Sequence, residues 1–288
     1  MLKSIEATLP ALGSAFCEAQ ATIYYDSISK PKASILYFHG GGFVYGTRKD
    51  LPLFHLQTLT EHCYAVIAFD YPLAPHASLD EILKNVILAV NSYIDQPDYF
   101  IGKRLPYYLW GRSAGAYLVL MAAASGELHA VPAGILSYYG YGLLTDGWLD
   151  APNPYYSQLP PVNPSLVETF KSHPRMSTSV DEGFSLYVYG RQSGTWPALF
   201  YTSPLKNLYR DFSLRSCSSL ECPVFCAHCI NDPDIPFSEF QALSQRLSAE
   251  CFIAAGAVHD FDRITSSIVT KRLLKATIEF LENHMPDF

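Results

Sequence analysis

Short apolar runs recur along this chain, separated by segments with helical spacing, and this alternation most narrows the folds open to it. Residues 21–25, 33–38, 64–69, 106–110, 133–138, 223–230 and 251–255 have the length and composition of strands. Tyr64 to Phe69 carries no charged or amide side chain, as expected of a strand covered on both faces. Residues 79–93, 114–124, 237–247 and 264–282 read as helices, and 114–124 consists of strong helix formers. The alternation predicts an α/β architecture, with a mostly parallel central sheet of about eight strands flanked by helices.

The rhythm fails over residues 142–209. Asp146-Gly147, Pro152-Asn153-Pro154 and Pro160-Pro161 are turn signals there, and aromatics are frequent. A structureless loop of that length does not suit a compact domain. The expectation is an inserted, partly helical cap at 142–209, with a core formed by 1–141 and 210–288.

Composition removes several classes of function. The chain has 288 residues, 49% of them apolar and 16% charged, enough to bury a large core. Its net charge is -7 and it has no Lys/Arg run, which argues against nucleic acid or an anionic membrane as partner. No apolar run approaches the roughly 18 residues that span a bilayer. Glu6, Pro10 and Glu18 interrupt any signal-peptide pattern, so a cytoplasmic, reducing location is expected. The seven cysteines (Cys17, Cys63, Cys217, Cys222, Cys226, Cys229 and Cys251) match no paired framework. Cys226, His228 and Cys229 lie close together, but on an apparent buried strand they read as packing residues and no metal site is expected.

Chemistry concentrates at the strand ends. Gly111-Arg112-Ser113-Ala114-Gly115 follows a predicted strand and opens a predicted helix, the context in which G-x-S-x-G exposes a nucleophilic serine on a strained turn. His39-Gly40-Gly41-Gly42 ends another predicted strand, where consecutive glycines let backbone N–H groups point inward. His39 itself reads as structural. His259 follows the last predicted strand and suits a general base, since an imidazole accepts and returns a proton near neutrality. Asp232 follows the strand ending at Ile230 and is the favoured acid, with Asp234 as competitor; Asp260 and Asp262 are too near His259 in sequence to orient its ring easily. His55, His62, His129, His173 and His284 read as solvated or loop residues.

These motifs together resemble the hormone-sensitive-lipase-like branch of esterases and lipases in the α/β-hydrolase superfamily. The matching segments, in order, are His39 to Gly42, Asp70 to Pro75, Gly111 to Gly115, Asp232 to Pro236 and His259 to Phe261. The resemblance runs from about Ala33 to the C-terminus apart from the insert. It implies an α/β-hydrolase fold and a serine carboxylesterase acting on small, acetyl-like esters. Ser113, His259 and Asp232 are the implied triad, and Gly41, Gly42 and Ala114 the implied oxyanion hole. Asp70 and Pro75 become scaffold. No organic cofactor or metal is required, and the partner is a small-molecule ester; the reading leaves a homodimer open.

Three positions depart from the family pattern: Arg112 stands where an aspartate is usual, Pro72 where arginine is common, and His39 arrives early. Arginine only donates hydrogen bonds, so Arg112 must find an acceptor elsewhere. Tyr138, Tyr139, Tyr141, Tyr155, Tyr156, Tyr187 and Tyr189 either line a pocket or pack the cap onto the core, the second being favoured. Two rival functions remain: an amide or formamide hydrolase on the same triad, and a non-catalytic ligand receptor.

Overall fold

The computed structural model describes residues 1–9 and 20–286; Pro10, Cys17 and Glu18 lie outside them. Eight strands form one sheet: β1 Leu2–Thr8, β2 Gln20–Asp26, β3 Ala33–Phe38, β4 Tyr64–Phe69, β5 Tyr107–Arg112, β6 Gly134–Tyr138, β7 Val224–Cys229 and β8 Glu250–Ala254. Their order is β1-β2-β4-β3-β5-β6-β7-β8. β1–β2 and β2–β4 pair antiparallel, and every later neighbour is parallel.

Side chains alternate across the parallel strands, so each strand feeds two cores. Leu36 and Phe38 of β3 enter one cluster and Ile35 and Tyr37 the other. Every residue of β3, β4, β5, β6 and β7 is buried, which explains why these strands read as continuous apolar runs. The first face carries α2 (Leu79–Asp95), α3 (Ala114–Ala124) and α7 (Phe237–Leu247); the second carries α1 (Leu53–Glu61) and α8 (Ile268–Asn283). A capping box starts α2: Ser78 Oγ accepts from Glu81 N–H while the Glu81 carboxylate accepts from Ser78 N–H. α3 buries residues on all sides, hence its lack of a polar face.

Two elements carry no clear signal in the sequence. β1 is a mostly exposed edge strand. α1 buries His55 and Thr60 beside Leu56 and Leu59, which thins its apolar pattern. α8 begins four residues later than its periodicity predicts, because Phe261–Arg263 form a separate 3₁₀ turn and Ser267 caps the helix.

Between β6 and β7 the chain forms α4 (Leu166–Lys171), α5 (Val180–Ser193) and α6 (Leu205–Asp211), joined by turns. The root of this segment is fixed by a carboxylate. Glu239, fully buried on α7, accepts from the N–H groups of Gly142, Leu143, Leu144 and Thr145 and from the Thr145 hydroxyl, at 2.7–2.9 Å. Further along, Trp196 Nε1 donates to the Gly42 carbonyl at 3.0 Å, tying the segment to the glycine loop.

Candidate active site

The site lies at the carboxyl ends of the parallel strands, where such sheets bind ligands. β3 delivers the glycine loop, β5 delivers Ser113, and β7 and β8 deliver the loops that hold Asp232 and His259.

Ser113 takes φ 53° and ψ −118°, a backbone conformation costly for a residue with a side chain. Its N–H donates to the Tyr138 carbonyl at 2.9 Å, which holds the turn in place. The flanking glycines are steric requirements. A Cβ on Gly111 would lie 2.2 Å from the Gly115 carbonyl, and one on Gly115 would lie 2.1 Å from the Phe38 oxygen. Ala114 opens α3, so its N–H has no acceptor in a preceding turn of the helix.

The three side chains singled out in the sequence form one hydrogen-bonded row. His259 Nε2 lies 2.8 Å from Ser113 Oγ, and Nδ1 lies 2.7 Å from Asp232 Oδ2. The other Asp232 oxygen accepts from the N–H groups of Asp234 and Ile235 at 2.8 and 3.0 Å. Burial would raise the Asp232 carboxyl, but the charge and hydrogen bond of His259 outweigh it and hold the group low. For His259 burial acts downward, yet the Asp232 carboxylate, then Asp234 and Asp260, carry it up to about 9.

The carbonyls of the glycine loop are engaged by other groups. Gly41 O accepts from Val44 and Tyr45, Gly42 O accepts from Trp196, and among the described residues no backbone carbonyl accepts from either glycine N–H. Gly41 has φ 96°, and a Cβ there would meet the Tyr45 oxygen at 1.9 Å. His39 is buried, stacked on Tyr71 at 4.2 Å and bonded through Nδ1 to the Gly40 carbonyl. Asp70 accepts from Arg48, through both its backbone N–H and its guanidinium.

Arg112 finds its acceptor in Asp262, a residue that sequence reasoning gave no role. Both are buried, and Arg112 Nη2 donates to Asp262 Oδ1 at 2.8 Å. Tyr139 donates to the same oxygen at 2.9 Å, and His55 Nε2 lies 3.0 Å from Asp262 Oδ2. His55 is therefore buried in this network and not solvated as expected. Burial would raise Asp262, but Arg112 first and His55 next hold it well below the carboxylate range. Arg263 and Tyr37 both donate to Asp50, 3.6 Å from Arg112 Nη1.

These groups border a cleft of about 440 Å³ that contains Ser113, His259, Gly41 and Gly42. Tyr139, Tyr155, Tyr156 and Tyr187 line it, whereas Tyr138, Tyr141 and Tyr189 do not. Asp234 also lines it, as a buried acid that the sequence offered only as a competitor for Asp232. Cys226 and Cys229 fall in opposite cores, and His228 stacks on Phe240 and bonds the Ile235 carbonyl. Among the described residues, no helix is long and apolar enough to cross a membrane.

Residues 35–217 match the family model described as the alpha/beta hydrolase fold, and the chain belongs to that family. A solved alpha/beta hydrolase superfamily protein from Enterococcus faecalis superposes with a TM-score of 0.83 at 24% identity, covering 98% of this chain and 99% of that one. An esterase from Pyrobaculum calidifontis superposes with a TM-score of 0.71 at 18% identity, over 99% and 86% of the two chains. Among curated proteins, a kynurenine formamidase from Danio rerio is 33% identical over 104 residues, 36% of this chain and 34% of that protein. A non-reducing polyketide synthase from Penicillium rubens is 28% identical over 169 residues, 52% of this chain and 7% of that protein. The chain therefore spans well under two thirds of either curated relative.

The family model and the superpositions agree on the alpha/beta hydrolase fold.

Proposed function

We propose that this protein is a serine carboxylesterase for small, short-acyl esters. The unbroken row Ser113–His259–Asp232, at 2.8 and 2.7 Å, carries the reading. Ser113 Oγ attacks the ester carbonyl while His259 Nε2 takes its proton, and Asp232 stabilises the resulting imidazolium. The oxyanion docks on the N–H groups of Gly41, Gly42 and Ala114. His259 then protonates the departing alcohol and leaves an acyl-serine. Water, deprotonated by His259, attacks that acyl group and releases the acid. Residues 142–209 serve as the cap, since they supply Tyr155, Tyr156 and Tyr187 to the cleft. No step calls for a metal or organic cofactor.

A cleft of about 440 Å³ suits a small ester. The test is hydrolysis of p-nitrophenyl esters of increasing acyl length by wild type and Ser113→Ala. Serine-dependent turnover that falls with chain length is expected; equal turnover by both proteins would sink the proposal.

The partial likeness to a kynurenine formamidase favours a second reading, in which the same groups cleave an N-formyl amide. Aryl formamides and aryl acetates assayed side by side separate the two, because only the second reading gives a higher kcat/KM for the formamide.

A further inference from the structure

The segment 142–209 meets the triad at Asp234. This carboxylate is buried, two residues beyond Asp232, and its own N–H donates to Asp232 Oδ1. Three side chains from the segment converge on it. Tyr187 donates to both oxygens at 2.9 and 2.8 Å, and Tyr156 donates to Oδ2 at 3.0 Å. Arg191, one helical turn from Tyr187 on α5, lies 3.2 Å from Oδ1 and donates to the Asp234 carbonyl at 2.9 Å. Oδ2 then faces His259 Nε2 at 3.9 Å. That nitrogen also faces Ser113, so the imidazole has a carboxylate toward each of its nitrogens.

We propose that Asp234 is a positioning residue for His259, through which docking of residues 142–209 controls the proton exchange between His259 and Ser113. This inference rests on the esterase reading above and adds a residue to it. Charges about 4 Å apart in a partly desolvated site interact several times more strongly than in bulk water. Asp234 therefore favours the imidazolium that forms as Ser113 attacks, on the side where the proton arrives. The hydroxyls that hold it stay protonated, because burial first and the Asp234 charge next push Tyr156 and Tyr187 far up.

Other titratable groups surround the two side chains, among them Arg263, which pairs with Asp260 at 2.7 Å. His259 faces Asp260 from its own loop, Asp232 from the loop after β7, and the Tyr139 ring at 4.8 Å from the end of β6. His228 lies 3.6 Å from Asp232, and Tyr45 and Tyr141 feel the Asp234 charge from the glycine loop and the loop after β6. Arg191 sits at Oδ1, which leaves Oδ2 turned to the imidazole.

The experiment is the pH profile of kcat/KM for p-nitrophenyl acetate, per site titrated with a fluorophosphonate, together with an NMR titration of the His259 ring. In Asp234→Asn the acid limb and the ring titration should both move down by about one pH unit, a roughly tenfold drop in proton affinity. Tyr156→Phe, which removes a donor from Oδ2 and leaves more charge facing Nε2, should move both up by roughly a few tenths of a unit. Serine-dependent turnover with an unmoved limb in both variants, even with lower stability, overturns the role of Asp234 and leaves the esterase reading intact. Undiminished turnover by Ser113→Ala overturns the esterase reading itself. If Asp234→Asn does not fold, Tyr156→Phe decides alone by the sign of its shift, and no shift or a downward one overturns the inference.

Discussion

Arg112 and Asp262 form a buried ion pair across 150 residues of sequence, with Nη2 and Oδ1 2.8 Å apart. Arg112 immediately precedes Ser113, and Asp262 follows His259 by three residues. The pair thus ties the serine turn to the histidine loop from behind. Tyr139 reinforces the tie, donating to Asp262 and packing its ring against His259 at 4.8 Å.

Removing one member leaves the other charged and buried. Asp262→Ala is expected to cost about 3–5 kcal/mol of stability, read by urea denaturation. Asp262 titrates lower in the folded state than in the unfolded chain. Its contribution is therefore complete above the ordinary carboxylate range and is lost as pH falls toward its folded value. The difference between wild type and Asp262→Ala should shrink below about pH 4. A constant difference down to pH 2 would remove the ion pair as its cause.

Ser113→Ala should lower turnover by about 10⁶ and abolish labelling by a fluorophosphonate. The N–H of the alanine still donates to the Tyr138 carbonyl, so the melting temperature should change little. Mass spectrometry of the labelled wild type checks the site directly, and a label on another serine would move the assignment.

His259 acts as a base only when neutral, so activity should rise with pH along a limb near pH 9, where its carboxylate neighbours carry it. Stability runs the opposite way. Because the folded value lies above the ordinary 6.5, the contribution of this group is complete below 6.5 and fades as pH rises through about 9. Parallel kcat/KM and thermal-melting profiles test both signs, and an activity limb centred near 6.5 would show that the carboxylates do not raise the base.

Gly42→Ala is expected to lower kcat by about 10²–10³, the typical loss of one oxyanion donor. Its Cβ would meet the Tyr187 ring at 2.2 Å, and φ is 58°, so the loop must shift to admit it. Active-site titration separates lost turnover from lost protein. Normal kcat in the titrated variant would take Gly42 out of the oxyanion hole.

Glu239→Ala leaves the N–H groups of residues 142–145 without their acceptor. At about 1–3 kcal/mol for each buried group, the loss should exceed that of a typical single substitution. Limited proteolysis should then cut first near residues 142–147. Wild-type resistance there would mean that the segment is rooted elsewhere.

The strands and their edge loops were legible because burial on both faces writes itself into the chain as unbroken apolar runs. β3, β4 and α3 were predicted to the residue. The glycines of the two loops signalled their own sites, since no other residue fits at Gly41, Gly111 or Gly115. The same local logic put Ser113, Asp232 and His259 just past the ends of β5, β7 and β8, and the tertiary structure brings their side chains into one row. β1 and α1 escaped notice because an exposed edge strand and a helix that buries polar side chains do not carry an apolar period.

Sequence by itself thus determined which residues stand at the sheet's carboxyl edge, because period and backbone freedom are properties of a few neighbouring residues. Only the tertiary structure decided what those residues touch. Arg112 announced that it needed an acceptor, but nothing local pointed to Asp262. Asp234 looked like a spare acid until Tyr156 and Tyr187 arrived from 78 and 47 residues away. Partnerships of this kind follow from the packing of distant elements around a buried charge, and charge burial leaves no period along the chain.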